Sequence, residues 1–227
     1  MRQKIAIGCA ALAGVILLWN LRTILLVEPD ELNQGAIYRI IYFHVPTILA
    51  GFTGFFLSLC ASCMYLWKRD LAWDGFAASV TEVGLAFATV VLVTGSIWAR
   101  IIWGIWWTWD ARLTSMLICW LLYAAYLMLR RAVDEPTQRA RLSAALSVFA
   151  FADVIIVWKS IEWWRTQHPG PVLSIRDGGG MAPGMEAPIW WNFLAFLLLG
   201  TALVIIRMRQ EQVQHEIDAL RRYAHAL

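Results

Sequence analysis

The chain has 227 residues, of which 60% are hydrophobic and only 15% charged, against roughly a quarter charged in ordinary soluble domains. One core of this size cannot hide that much apolar surface, so composition excludes a water-soluble globule, and six helices of about 20 residues each would fit, which excludes a single anchor. The net charge of +3 comes from scattered basic residues and gives no ground for a nucleic-acid partner.

The pattern predicts an all-α polytopic membrane protein with six transmembrane helices. Arg2 and Lys4 precede a first apolar run over residues 5–27. That run is longer than a signal core and lacks a small-residue cleavage site, so it reads as a retained span. The second span starts near Ile40 and ends near Trp67. A break at Lys68-Arg69-Asp70 leads to a third at about 75–98. An aromatic loop over 99–112 separates it from a fourth span at about 113–129. Residues 130–141 form a solvated loop, the fifth span covers about 142–158, and 159–187 is the longest polar stretch. The sixth span, 188–206, completes a membrane domain over 1–206, in which residues 98–115 form the functional loop. Residues 207–227 are a charged tail with Val213, Ile217, Leu220 and Leu227 at helix-like intervals, an amphipathic helix suited to a cytoplasmic subunit or to the membrane surface. Cys9, Cys60, Cys63 and Cys119 all lie in apolar runs and imply no disulfide framework. The Cys60–Cys63 spacing is read as helix packing.

Basic residues orient the spans, since basic loops stay cytoplasmic. One side collects twelve, including Arg2, Lys68, Arg130, Arg139 and Arg207, and the other seven, including Arg39, Arg100, Arg112 and Lys159. Both termini are therefore expected in the cytoplasm. Tyr38, Tyr42, Trp98, Trp163, Trp164, Trp190 and Trp191 then fall where an outer aromatic belt belongs. A cysteine placed at Ser174 should react with an impermeant thiol reagent from outside and one at Thr137 should not. The reverse labelling would overturn this topology.

Five of the 14 tryptophans fall between positions 98 and 109: Trp98, Trp103, Trp106, Trp107 and Trp109. They are interleaved with Arg100, Gly104, Asp110 and Arg112. An interfacial belt explains an ordinary pair of indoles. Five in so short a stretch suit stacking on a large flat apolar ligand whose carboxylates meet the arginines. The order Trp103-Gly104-x-x-Trp107-x-Trp109-Asp110, with Ala111-Arg112-Leu113-Thr114-Ser115 after it and Gly95-Ser96-Ile97-Trp98-Ala99 before it, resembles the tryptophan-rich WWD signature of haem-handling proteins. Within that superfamily the likeness is to the cytochrome c maturation protein C branch, and it covers the chain from about Tyr42 to the sixth span. Ile101 stands where that pattern has proline, a local departure.

The charge-derived topology puts His44 and His168 on the same face as the tryptophans, and His215 and His225 in the tail. The segments Tyr42-Phe43-His44-Val45-Pro46 and Trp163-Trp164-Arg165-Thr166-Gln167-His168-Pro169 resemble the two histidine-bearing stretches of the same family. The resemblance implies that His44 and His168 are axial ligands of one b-type haem, edged by the 98–112 tryptophans and arginines. Two neutral imidazoles suit a non-covalently held, carried haem. It also implies a bacterial inner-membrane location, with the haem site on the periplasmic side. The implied partners are a periplasmic haem chaperone, a small single-span protein and an ABC-type membrane complex, besides membrane lipid. The role is haem presentation rather than catalysis. A cytochrome c synthetase-type haem lyase would call for more histidines and a longer chain, and an electron-transfer cytochrome b for histidines deep within the spans. Glu82 and Asp153 are carboxyls inside spans. They are read as protonated or hydrogen-bonded to neighbours such as Thr89 or Thr94, with a proton relay as the alternative.

Overall fold

The computed structural model describes residues 1–170, 173, 181 and 184–225. The side chains at 215, 218, 219, 221–223 and 225 lie outside that description, as does the proposed labelling site Ser174. The elements are α1 (Arg2–Leu26), a 3-10 turn (Ala36–Ile40), α2 (Ile41–Lys68), α3 (Leu71–Trp103), α4 (Ala111–Ala132), α5 (Pro136–Trp163) and α6 (Ala187–His225). Among the described residues six helices are long and apolar enough to cross a membrane. They alternate in direction, so both termini share one end and His44 lies at the other.

Two boundaries differ from the hydropathy reading. α3 continues through residues 99–103 and stops at Gly104, whose φ of 74° is a left-handed conformation open to glycine. The Arg100 Nη1 donates to the Gly104 carbonyl and so closes that end. α4 begins at once after Asp110, whose carboxylate accepts from Leu113 N at 2.9 Å as an N-cap. The true loop is therefore 104–110, shorter than the 98–115 expected. The tail is not a separate element either: α6 runs unbroken from Ala187 to His225.

α2 and α3 pack closely at glycine, where a Cβ on Gly54 would stand 3.1 Å from the Val80 carbonyl oxygen and the Gly84 Cα. The main core lies among α2–α5, with Phe55 stacked on Tyr123 and Ala88, Cys119, Ala150 and Val157 around them. Tyr42 and Tyr38 are buried against Ile24, Ile41 and Ile189 rather than exposed in a belt. Trp163, Trp164, Trp190 and Trp191 do face outward. Cys60 and Cys63 are exposed and free, so their spacing does not pack the interior.

Proline inside α2 shapes the histidine end. Pro46 has no N–H to offer the carbonyl of Tyr42 one turn earlier. Asn192 Nδ2 of α6 donates to that carbonyl instead, at 2.6 Å. Asn192 Oδ1 in turn accepts from Asn20 Nδ2 of α1 at 2.7 Å, and Asn20 also donates to the Pro188 carbonyl at 2.8 Å. One buried amide pair thus ties α1, α2 and α6 together two residues from His44. Replacing Asn192 with Leu leaves a buried acceptor and donor unmet, and should lower unfolding stability by about 1–3 kcal/mol in a detergent titration. Unchanged stability would show that the Tyr42 carbonyl has another partner.

The termini end is held by charge. Arg130 makes a two-pronged contact with Asp74, at 2.5 and 3.0 Å, and both side chains are buried. Arg130 also faces Glu211 at 3.8 Å, while Arg207 pairs with Glu82 at 2.5 Å. Glu82 is therefore ion-paired to α6, not bonded to Thr89 or Thr94 as expected. Thr89 accepts from Trp120 Nε1, and Thr94 serves His44.

Candidate functional site

Asp110 anchors the C-terminal end of the tryptophan loop with both of its carboxylate oxygens. One carboxylate oxygen caps α4 and the other accepts from Thr166 Oγ1 at 2.7 Å. Thr166 Oγ1 in turn accepts the His168 backbone N–H at 3.1 Å. The segment that carries His168 is thereby pinned to the tryptophan loop. Asp110 acts on Arg112 through its charge alone. Arg112 Nη1 instead donates to the carbonyls of Val157 and Trp158 at the end of α5.

The aromatic residues divide. Trp98 is half-buried, donates to Gln34 Oε1 at 2.8 Å, and meets Tyr38 and His44 edge-on at 6.2 and 5.9 Å. Trp107 and Trp109 meet edge-on at 5.8 Å. Trp109 and Trp106 are 76% and 59% exposed, so the loop presents rings outward. Trp103 is half-buried at the end of α3. Among the described residues Trp107 Nε1 and Thr108 Oγ1 are enclosed without a hydrogen-bond partner. Such donors are ordinarily met by water or a ligand. Gly104 contributes backbone geometry alone, and exposed Arg100 is engaged with its carbonyl.

The two histidines are prepared alike. His44 Nδ1 lies 2.8 Å from Thr94 Oγ1. Thr94 already donates its hydroxyl hydrogen to the Val90 carbonyl at 2.7 Å, so it accepts from His44 Nδ1–H. His168 Nδ1 lies 2.8 Å from the Pro169 carbonyl oxygen, which can only accept. In both rings the proton is held on Nδ1 and the lone pair is on Nε2, the form in which imidazole ligates iron. Burial, reinforced by the positive charge of Arg112, holds His168 below its ordinary value of 6.5, while the Pro169 carbonyl and Asp110 pull the other way. It is therefore neutral at physiological pH. His168 and Arg112 both act electrostatically on His44, so the three form one neighbourhood. Gly95 makes room beside His44, where a Cβ would stand 3.2 Å from its Cε1.

Two bare imidazole nitrogens, outward indoles, a cationic Arg112 and unmet enclosed donors fit a flat, iron-bearing, dicarboxylate ligand. Arg100 and Trp106 are both exposed. Reading by residue type missed Thr94 and Thr166 as the groups that set the rings. A hydroxyl one helical turn from a carbonyl acceptor, facing a histidine-bearing helix, was the available signal. The side chains of His215 and His225 lie outside the described residues.

The family model described as heme exporter protein C matches residues 1–223. The chain is 36% identical over 183 residues to heme exporter protein C of Escherichia coli strain K12, covering 80% of this chain and 73% of that protein. It is 34% identical over 195 residues to the protein of the same name from Bradyrhizobium diazoefficiens, covering 86% and 74%. With the Paracoccus denitrificans protein, also named heme exporter protein C, identity is 33% over 214 residues, covering 94% and 87%.

Proposed function

The chain belongs to the heme exporter protein C family, and on that premise we propose that its histidine end holds one haem b between His44 and His168 and passes it to a periplasmic haem chaperone during cytochrome c maturation. The observation that carries this reading is the matched preparation of the two rings, each with Nδ1 engaged and Nε2 without a hydrogen bond among the described residues. Haem is the cargo. Its iron takes the two imidazoles, and its porphyrin lies against the outward indoles of the 103–109 stretch. Arg112 offers positive charge to a haem carboxylate. Trp107 Nε1 and Thr108 Oγ1 supply donors to the same group or to the chaperone backbone.

The excess of basic residues at the termini end orients the protein in a bacterial inner membrane, with both termini cytoplasmic and the haem site periplasmic. A small single-span protein and an ABC-type membrane complex are the partners this role calls for. The chain acts as a carrier, and the covalent chemistry of haem attachment falls to other proteins.

The test is transfer. Haem-loaded protein mixed with apo-chaperone should lose haem to the chaperone, without needing apocytochrome. Haem that stays behind, or mature cytochrome formed with no chaperone present, would overturn the proposal. Aromatic contacts are worth on the order of 1 kcal/mol each. Trp107→Ala with Trp109→Ala should therefore weaken haem retention by about thirtyfold, while the bundle remains folded in the membrane. Undiminished retention in a folded double variant would reduce the loop to an interfacial belt.

A further inference from the structure

The core of α2–α5 carries polar atoms that nothing in the haem site uses. Among the described residues Ser62 Oγ, Tyr123 OH, Ser143 Oγ and Asp153 Oδ2 are enclosed there with no hydrogen-bond partner. Asp153 is only 8% exposed. Unmet buried polar atoms are costly and are ordinarily satisfied by bound water.

Their depths form a series. Counted at about 1.5 Å per residue from the termini end of each helix, Asp74 and Arg130 lie at about 4 Å and Tyr126, Ser62 and Ser143 at about 10 Å. On the same count Ser58, Thr81, Ser147 and Tyr123 lie at about 15 Å, Cys119 at about 20 Å and Asp153 at about 25 Å. Ser58 Oγ is bonded to Thr81 Oγ1 at 2.6 Å and to Ser147 Oγ at 3.0 Å, a hydroxyl layer shared by three helices. Tyr126 faces both Thr81 and Arg130. Apolar Phe55, Ala88, Met116 and Ala150 pack beside Tyr123 and Cys119, and beyond Asp153 the same cluster continues through Ile48, Val91 and Val157 with no polar group among them. These lie at about 30 Å and His44 at about 36 Å. The titratable groups that act on Asp153 are Cys119 and Tyr123 of α4. Among the described residues no charged side chain of α2, α3 or α6 faces it.

We propose that α2–α5 enclose a file of bound water that opens at the termini end and stops at Asp153, so that Asp153 exchanges its proton with that side of the membrane and not with the histidine side. Water in the file donates a proton to the carboxylate and takes one from the termini-side solution. The bundle gains one positive charge on protonation and loses it on release. The Ile48–Val91–Val157 layer separates this proton from the two imidazoles.

The test uses the full chain, oriented in sealed vesicles, with orientation established independently by protease removal of a C-terminal tag. The infrared band of the protonated carboxyl is followed after a pH jump on one side, and Asp153→Asn identifies the part that belongs to Asp153. Acidifying the termini side should raise that band promptly, and acidifying the histidine side should leave it unchanged until the gradient collapses. Tyr126→Phe and Ser62→Ala should slow the response severalfold without moving the band. If Asp153→Asn does not fold, Asp153→Glu serves, because it shifts the band instead of removing it. A band that follows the histidine side, follows both sides equally, ignores pH on either side, or survives unaltered in the Asp153 variants would overturn the proposal.

Discussion

Alanine at position 44 or at position 168 is expected to convert a six-coordinate, low-spin haem into one with an open or water-filled axial position, visible at once in the absorption spectrum. Loss of an outer-shell partner of a ligand alone costs about 10–100-fold in metal affinity. Removing either imidazole should therefore lower haem retention by at least about a hundredfold. External imidazole should refill the vacated position and restore the low-spin spectrum. The Thr94→Val variant is the finer probe, because it removes the acceptor that keeps the His44 proton on Nδ1. Its expected loss is about tenfold, with the six-coordinate spectrum largely preserved. Alanine at His215 or His225 should change neither spectrum nor retention. Wild-type spectra and normal transfer in both His44→Ala and His168→Ala would refute the assignment.

The second large effect is expected at the opposite end. Arg130 and Asp74 form a buried pair: removing Arg130 leaves the Asp74 charge without this partner, and removing Asp74 leaves Arg130 only its longer contact with Glu211, in a medium that solvates charge poorly. Arg130→Ala or Asp74→Ala should each destabilise the bundle by about 3–5 kcal/mol. Replacing both at once, with Met at 130 and Leu at 74, should recover most of that loss, since an apolar pair of similar volume is often neutral or better. Arg130 also faces Glu211 of α6 at 3.8 Å, so the single variant should loosen the membrane-proximal part of the sixth helix as well. The spectrum of bound haem should be untouched in any variant that folds, because the pair lies a full span from His44. A shift in that spectrum would mean that the two ends communicate.

The architecture was legible because hydropathy and helix length leave little freedom in a membrane. Six apolar runs became six helices. The boundaries were less so, because hydropathy falls before the hydrogen-bond ladder ends. α3 continues through polar-flanked 99–103 until the positive φ of Gly104, and α4 starts on the Asp110 cap rather than on the first run of leucines. Motif and charge placement brought His44, His168 and the tryptophans to the end now seen to hold them together. Pairing was not legible. Tyr42 was taken for a belt residue because phenols favour interfaces, yet it is buried beside the Asn20–Asn192 network. The proline at 46 marked that network in the sequence, since its missing donor obliges some other group to meet the Tyr42 carbonyl. Glu82 and Arg207 are 125 residues apart, a separation that periodicity cannot bridge. Asp110 illustrates the same point. Its identity suggested an acid within the tryptophan motif, but only the fold shows that it clamps Thr166 and so positions the histidine two residues further on.

The most direct measurement is pulsed electron paramagnetic resonance of the ferric haem complex of the otherwise unaltered protein, prepared with and without nitrogen-15 histidine. Hyperfine couplings from two imidazole nitrogens that both change with the label are the expected result, and they would place two histidines on one iron. One labelled nitrogen, none, or a high-spin signal would contradict ligation by His44 and His168 together.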